Sequence, residues 1–166
     1  FRPDDGIVEI GDADGRLEFA TRNAFKKVDV ARAATSGSEA FVAASVGPYG
    51  AILHDGSEYR GRYGVSHDRL VDFHGERLEV ITASEPDLLA IETIPDLDEV
   101  RALVDVLSDF SEVPAWLGMS CADGAHTSAG QPIEELVALV AGSPSIRAVG
   151  VNCTAPEHVE SLLVRL

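Results

Sequence analysis

Residues 87–110 read "DLLAIETIPDLDEVRALVDVLSDF". The first part, "DLLAIET" over 87–93, is a short apolar run ending on Glu92 and Thr93, and it predicts a buried strand. A turn through Pro95 follows. Asp96, with Glu99 three residues on, makes a capping-box-like start for a helix over 97–110. The stretch is therefore one strand, one turn and one helix, and the turn falls at the carboxyl end of the strand.

The same unit recurs on both sides. Upstream, "AFVAASVG" (40–47) is an apolar run closed by Gly47, and Ser66 can cap a helix over 67–84 in which Leu70, Phe73, Leu78 and Ile81 trace one face. Between them lies a Gly- and Tyr-rich loop over 48–65. Downstream, "PAWLGMS" (114–120) predicts a third strand and "PIEELVALVAG" (132–142) a helix, with Pro132 near its first turn and Gly142 at its end. "IRAVGVN" (146–152) predicts a fourth strand, and "PEHVESLLVRL" (156–166) a fourth helix. Before these units, Leu17, Ala20, Ala24, Val28 and Ala31 have the spacing of one helix face over 17–34, and residues 1–16 read as loop.

Four strand–helix pairs in succession predict a parallel sheet with crossover helices. Either a doubly wound open sheet or part of a (β/α)8 barrel has this pattern. Neither G-x-G-x-x-G nor G-x-x-x-x-G-K-[ST] occurs, so nothing supports a nucleotide cradle, and the barrel is favoured. Both architectures put function on the loops after the strands. There the sequence collects Gly47-Pro48-Tyr49, Glu92-Thr93, Ser120-Cys121 and Asn152-Cys153.

Bulk composition narrows the partners. The chain has 166 residues, enough for one domain or part of a larger one, and 45% are hydrophobic. A formal charge of −15 repels phosphate backbones and argues against nucleic acid. No apolar run reaches about 18 residues, so no membrane helix is expected. The opening "FRPDDGIVEIGDADGR" lacks the apolar core of a signal peptide. With two cysteines and no disulfide framework, a reducing, cytoplasmic setting is expected.

Several residues can carry chemistry. Glu92, at a strand end after "LLAI", can hold an ammonium group or act as a base, or serve as a plain loop carboxylate. Cys153 is a soft metal ligand or a small buried hydrophobe. Cys121, the only other thiol, has no C-x-x-C spacing to it. His54 and His126 fall on strand-end loops, whereas His67, His74 and His158 read as solvated or satisfied helix residues. In "GPYGAILHDGSEYRGRYG" (47–64) the glycines allow tight turns, and Tyr49, Tyr59 and Tyr63 either shield a site from water or pack the loop on itself.

These segments together, "VAASVGPYGAILHDGSEYRGRY", "DLLAIETIPDLDEV", "WLGMS" and "AVGVNC", resemble the homocysteine S-methyltransferase family in order and interval, most closely the branch that uses S-methylmethionine. The resemblance covers residues 40–166, and residues 1–39 match it weakly. It implies a single partial homocysteine-binding domain over 1–166, the third to sixth strands of a (β/α)8 barrel. It also implies zinc bound through three cysteines and methyl transfer to the homocysteine sulfur. Cys153 would be one zinc ligand, Glu92 would contact the homocysteine amino group and Asn152 would lie in the pocket. Gly47, Pro48 and Tyr49 would line its mouth. Zinc would convert the homocysteine thiol to thiolate, and alignment of donor and sulfur would supply much of the rate.

The family's "GGCC" segment and its opening "DGG" strand have no counterpart among the 166 residues. With one ligand cysteine, the chain alone is not expected to hold zinc. Four strands leave two open sheet edges and an uncovered face, so this portion by itself is expected to associate, for instance as a homo-oligomer. The alternative reading is a non-catalytic relative acting as a binding or assembly subunit. An aldolase-type barrel ranks last, because the only lysines, Lys26 and Lys27, sit side by side on a predicted helix.

Overall fold

The computed structural model describes residues 27–37 and 39–166. The expected loop over 1–16 and the expected helical residues 17–26 lie outside that range. Residues 27–34 are helical (α1). The elements that follow are β1 (Ala43–Val46), α2 (His67–Thr82), β2 (Leu88–Ile94), α3 (Leu97–Leu107), β3 (Ala115–Met119), α4 (Glu135–Val140), β4 (Ile146–Val151) and α5 (Pro156–Arg165). The strands form one four-stranded sheet in the order β1-β2-β3-β4, and every neighbouring pair is parallel. The order never reverses, so this part of the sheet contains no switch point of the doubly wound kind.

Side-chain alternation explains how the sheet seats its helices. Val46, Leu89, Ile91, Ala115, Leu117 and Met119 point to one face and are buried there. They pack against Leu78 of α2, Leu97, Val100, Leu103, Val106 and Leu107 of α3, Leu136 of α4 and Leu162 of α5. The opposite face is open in places: Ala43, Ser45 and Ala148 are exposed, and Trp116 is 41% exposed. A second, smaller cluster lies under the long β1–α2 loop, where Tyr49, Leu70, Phe73 and Ala102 pack together. That loop carries two short 3-10 turns, Tyr49–Ile52 and Ser57–Tyr59.

Helix starts follow the sequence in two cases. The Ser66 hydroxyl accepts the Arg69 N–H at 3.2 Å, and Pro156 occupies the first turn of α5. Two expectations are corrected. Asp96 caps α3 by accepting the Asp98 N–H at 2.9 Å, but Glu99 does not return the bond of a capping box. Glu99 instead turns inward and is fully buried, with Tyr49, Tyr63 and His74 as its partners. Pro132 is not in the first turn of α4, which begins only at Glu135. Residues 131–133 pair with the preceding loop: His126 bridges Pro132, and Ile133 N–H donates to the Ala125 carbonyl at 3.0 Å. A proline has no N–H to give a helix, so its use in a turn costs nothing there.

Asp96 ties three loops together. One carboxylate oxygen accepts the Asp98 N–H and the Gln131 side-chain amide, both at 2.9 Å, and the other accepts the Arg62 N–H at 2.8 Å. Asp96→Ala is expected to destabilise the fold by about 1–2 kcal/mol, since it removes a helix cap and leaves part-buried donors from two other loops without their acceptor. Equilibrium urea unfolding checks this; a loss under about 0.5 kcal/mol would contradict the role assigned to Asp96.

Candidate active site

The carboxyl ends of the four strands form a rim, and its inner row is unusually bare. Val46 pairs with Ile91, so Gly47 and Glu92 come next on adjacent strands. Ile91 pairs with Leu117, so Gly118 comes next on β3, and Gly118 pairs with Gly150 on β4. The row is therefore glycine, glutamate, glycine, glycine. Glu92 is half-buried, and its carboxylate forms no hydrogen bond or ion pair among the described residues. A carboxylate free of protein partners, with no side chain on either flank, can receive a cationic group.

The glycines are not equivalent. A Cβ on Gly118 would stand 2.8 Å from the Asn152 side-chain oxygen, so glycine makes room for that amide. Gly47 and Gly150 have no such reason. A Cβ on either meets nothing within 4 Å, and neither has a positive φ. Gly50 and Gly61, in contrast, are required by the fold. A Cβ on Gly50 would stand 2.5 Å from the Glu58 nitrogen, and one on Gly61 (φ 66°) would stand 2.8 Å from the Asp96 Cβ.

Asn152 is held firmly. It lies over Gly118 and reaches from β4 across β3 to the end of β2. There its oxygen accepts the Thr93 N–H and its amide donates to the Thr93 hydroxyl, both at 2.9 Å. Thr93 sits in the left-handed region at φ 62°, which a β-branched residue adopts only when its surroundings impose it. The irregularity in the β2–β3 pairing between Ile91 and Ile94 absorbs that turn. Cys153 is also left-handed, at φ 47°, and its thiol is exposed. The Thr93 hydroxyl lies 3.4 Å from its sulfur. Thr93, Asn152 and Cys153 thus form one cluster beside Glu92, and Cys153 is not buried filler.

Of the two readings of the loop tyrosines, Tyr49 follows the one in which the loop packs on itself. Pro48 and Tyr49 are buried, and the Tyr49 ring turns away into the second apolar cluster, 5.0 Å from Phe73 and 5.3 Å from Tyr63. Tyr59 is 57% exposed. Of the three turn residues, Gly47 is the one next to Glu92. The histidines stay apart from the rim cluster: His54 is exposed, His126 pairs with Asp123 at 3.0 Å, and His67 with Asp105 at 2.9 Å.

No group of three His, Cys, Asp or Glu among the described residues could hold a metal ion. Cys121 is buried, and burial pushes its thiol up to about 11, the wrong direction for a ligand thiolate. Cys153 alone offers one sulfur, so these residues do not fit a bound zinc by themselves.

Thr93 was not foreseen as a site residue, because a sequence does not display a positive φ. Gly118 did leave a signal: a glycine inside a strand marks a close approach, here of the Asn152 side chain.

Comparison with known proteins adds the following. The family model described as Homocysteine S-methyltransferase matches residues 11–166. The chain is 45% identical over 125 residues to Homocysteine S-methyltransferase YbgG of Bacillus subtilis (strain 168), covering 75% of this chain and 40% of that protein. It is 44% identical over 125 residues to Homocysteine S-methyltransferase of Escherichia coli (strain K12), with the same two shares. The crystal structure of the homocysteine methyltransferase MmuM from Escherichia coli, oxidised form, superposes with a TM-score of 0.83 at 38% identity, over 89% of this chain and 53% of that one. Its metallated form gives 0.76 at 37% identity over the same shares. The chain thus spans about 40% of the length of the curated relatives it matches.

The glycine distinction is directly testable. Gly150→Ala is expected to leave stability unchanged or raise it by about 0.5 kcal/mol. Gly50→Ala is expected to cost about 2 kcal/mol, because backbone must move. Thermal unfolding of the two variants checks this, and equal effects would contradict the claim that Gly150 is dispensable to the fold.

Proposed function

Because the chain belongs to the homocysteine S-methyltransferase family, we propose that it is the central part of an enzyme that transfers a methyl group to the thiol of homocysteine, giving methionine. The single observation that carries this reading is the rim itself. An unpaired carboxylate, Glu92, stands in a row of glycines beside an exposed thiol, Cys153. A small amino acid with an ammonium at one end and a sulfur at the other suits a carboxylate and a thiol on the same rim.

In this reading Glu92 accepts the homocysteine ammonium group. Gly47 and Gly150 leave the volume the substrate fills, and Asn152, fixed by Thr93, presents a rigid polar wall. The homocysteine sulfur, having released its proton to solvent, forms a bond to the methyl carbon of a sulfonium donor such as S-methylmethionine. The donor's carbon–sulfur bond breaks in line, and its electron pair stays on the departing sulfur. With that donor both products are methionine. No charge change is required of the side chains, so their contribution is alignment. Zinc is the cofactor we assign to the complete domain, with Cys153 as one of its ligands.

The sequential parallel order supports the third to sixth strands of a (β/α)8 barrel, one partial domain over 1–166. Further strands of that barrel would cover the exposed face that carries Trp116. A four-strand piece alone would self-associate through it. Among the described residues no helix is long and apolar enough to cross a membrane. Two free thiols fit a reducing, cytoplasmic setting.

The test is a methionine-forming assay on the full-length protein with homocysteine and S-methylmethionine. Cys153→Ala is expected to abolish bound zinc and turnover together. Glu92→Ala is expected to keep zinc and raise KM for homocysteine by at least about tenfold, the effect of one lost charged contact. A wild type that binds homocysteine without turnover would favour the non-catalytic relative. Turnover retained by Cys153→Ala would sink the mechanism.

A further inference from the structure

Beneath the rim lies a buried polar cluster that no step above uses. Glu99 of α3 is fully buried. One of its oxygens accepts the Tyr49 N–H at 2.5 Å and faces His74 Nε2 at 2.9 Å, and the other accepts the Tyr63 hydroxyl at 2.8 Å. His74 is also fully buried, and its Nδ1 has no partner. A carboxylate oxygen cannot donate, so His74 does, through Nε2. Burial, and then the Glu99 charge, push the Tyr63 phenol far above its usual range, so it stays protonated and donating. Arg77 of α2 lies over the Phe73 ring at 4.9 Å and donates to the Gly47 carbonyl at 2.9 Å. Burial lowers the Arg77 pKa, and the Glu99 charge opposes that shift.

The two charged groups therefore grip the two ends of one turn. Arg77 holds the carbonyl of Gly47, and Glu99 holds the N–H of Tyr49. Pro48 between them has a restricted φ and no N–H, so little freedom is left. Nothing about stability demands this arrangement. Replacing buried ionic groups by apolar residues of similar volume is often neutral or stabilising. A buried carboxylate under a turn is better explained by the position it imposes. The residue so fixed, Gly47, comes next to Glu92 on the rim.

We infer that Glu99 and Arg77 are positioning residues that clamp the Gly47–Tyr49 turn so that Gly47 stays flush beside Glu92 and leaves room for the homocysteine amino-acid group. The inference rests on the proposed function. Neither side chain touches substrate, and each acts through the backbone it holds. Substrate would sense the clamp as affinity, because the clamp shapes the site and does not reach the reacting sulfur.

The experiment uses the full-length protein and four variants. Glu99→Leu keeps the volume and removes both acceptors; Arg77→Met keeps the apolar stem and removes the donor. Both are expected to raise KM for homocysteine at least about tenfold while kcat stays within about threefold. Glu99→Gln can still accept from Tyr49 and His74 and can donate to Tyr63, so it should stay within about threefold of wild-type KM. Arg77→Lys should recover part of the loss. Amide exchange at Tyr49 should accelerate in Glu99→Leu and remain slow in Glu99→Gln. An active wild type whose Glu99→Leu and Arg77→Met variants lose thermal stability but keep KM would overturn the clamp alone. The same holds if Glu99→Gln fails as badly as Glu99→Leu. A wild type without methyl transfer or homocysteine binding would overturn the proposed function, and the clamp with it.

Discussion

The junction of β2 and α3, residues 92–99, is the constraint on which the rest of the rim depends. Each loop of the rim is fastened to it. Thr93 takes Asn152 from the end of β4. The Pro95 carbonyl accepts the Ala129 N–H, and Asp96 and Leu97 both bond Gln131, so the loop after β3 is fixed at three points. Asp96 also accepts the Arg62 N–H, and Glu99 the Tyr49 N–H, which fixes the loop after β1 at both ends. Side-chain and backbone bonds shared in this way act cooperatively, and loosening one member weakens the others. The loops can carry unusual residues because the junction has already placed them.

The order of elements was legible in the sequence because it depends on local periodicity. Leu89–Ile91 is an apolar run that is buried as its composition demands, Ile146–Val151 is a weaker and only partly buried strand signal, and Ser66 and Pro156 mark helix starts by their own chemistry. The alternation left two sheet orders open, and the sequential one favoured by the missing nucleotide motifs is the one observed. What failed were two helix-start readings that turned on partners distant in sequence. Asp96 and Glu99 have capping-box spacing, yet Glu99 is drawn away by three donors from distant segments, a tertiary preference that spacing does not reveal. Pro132 has the position of a helix start, yet its loop finds a better partner in residues 125–126. For Tyr49 the sequence left two readings open, and the structure follows the one in which the ring packs with Tyr63 and Phe73.

The candidate site was half legible for the same reason. Glu92 and Cys153 stand out because a carboxylate and a thiol at strand ends have no local structural purpose. Asn152 entered through a resemblance, and the structure supplies a physical role for it: an amide clasped to Thr93 over a glycine. The bare row around Glu92 could not be read from sequence, because it requires the register of four strands. Thr93 and Cys153 are left-handed where the chemistry is proposed, as are His54, Arg62 and Glu85 outside that cluster, and the clasp to Asn152 is what holds Thr93 there.

The most direct measurement is a crystal structure of the full-length protein with homocysteine bound. The account predicts the ammonium group against the Glu92 carboxylate, the amino-acid backbone over Gly47 and Gly150, and the sulfur turned toward Cys153. A complex in which homocysteine binds elsewhere, or in which Glu92 faces solvent while the sulfur lies away from Cys153, would contradict it.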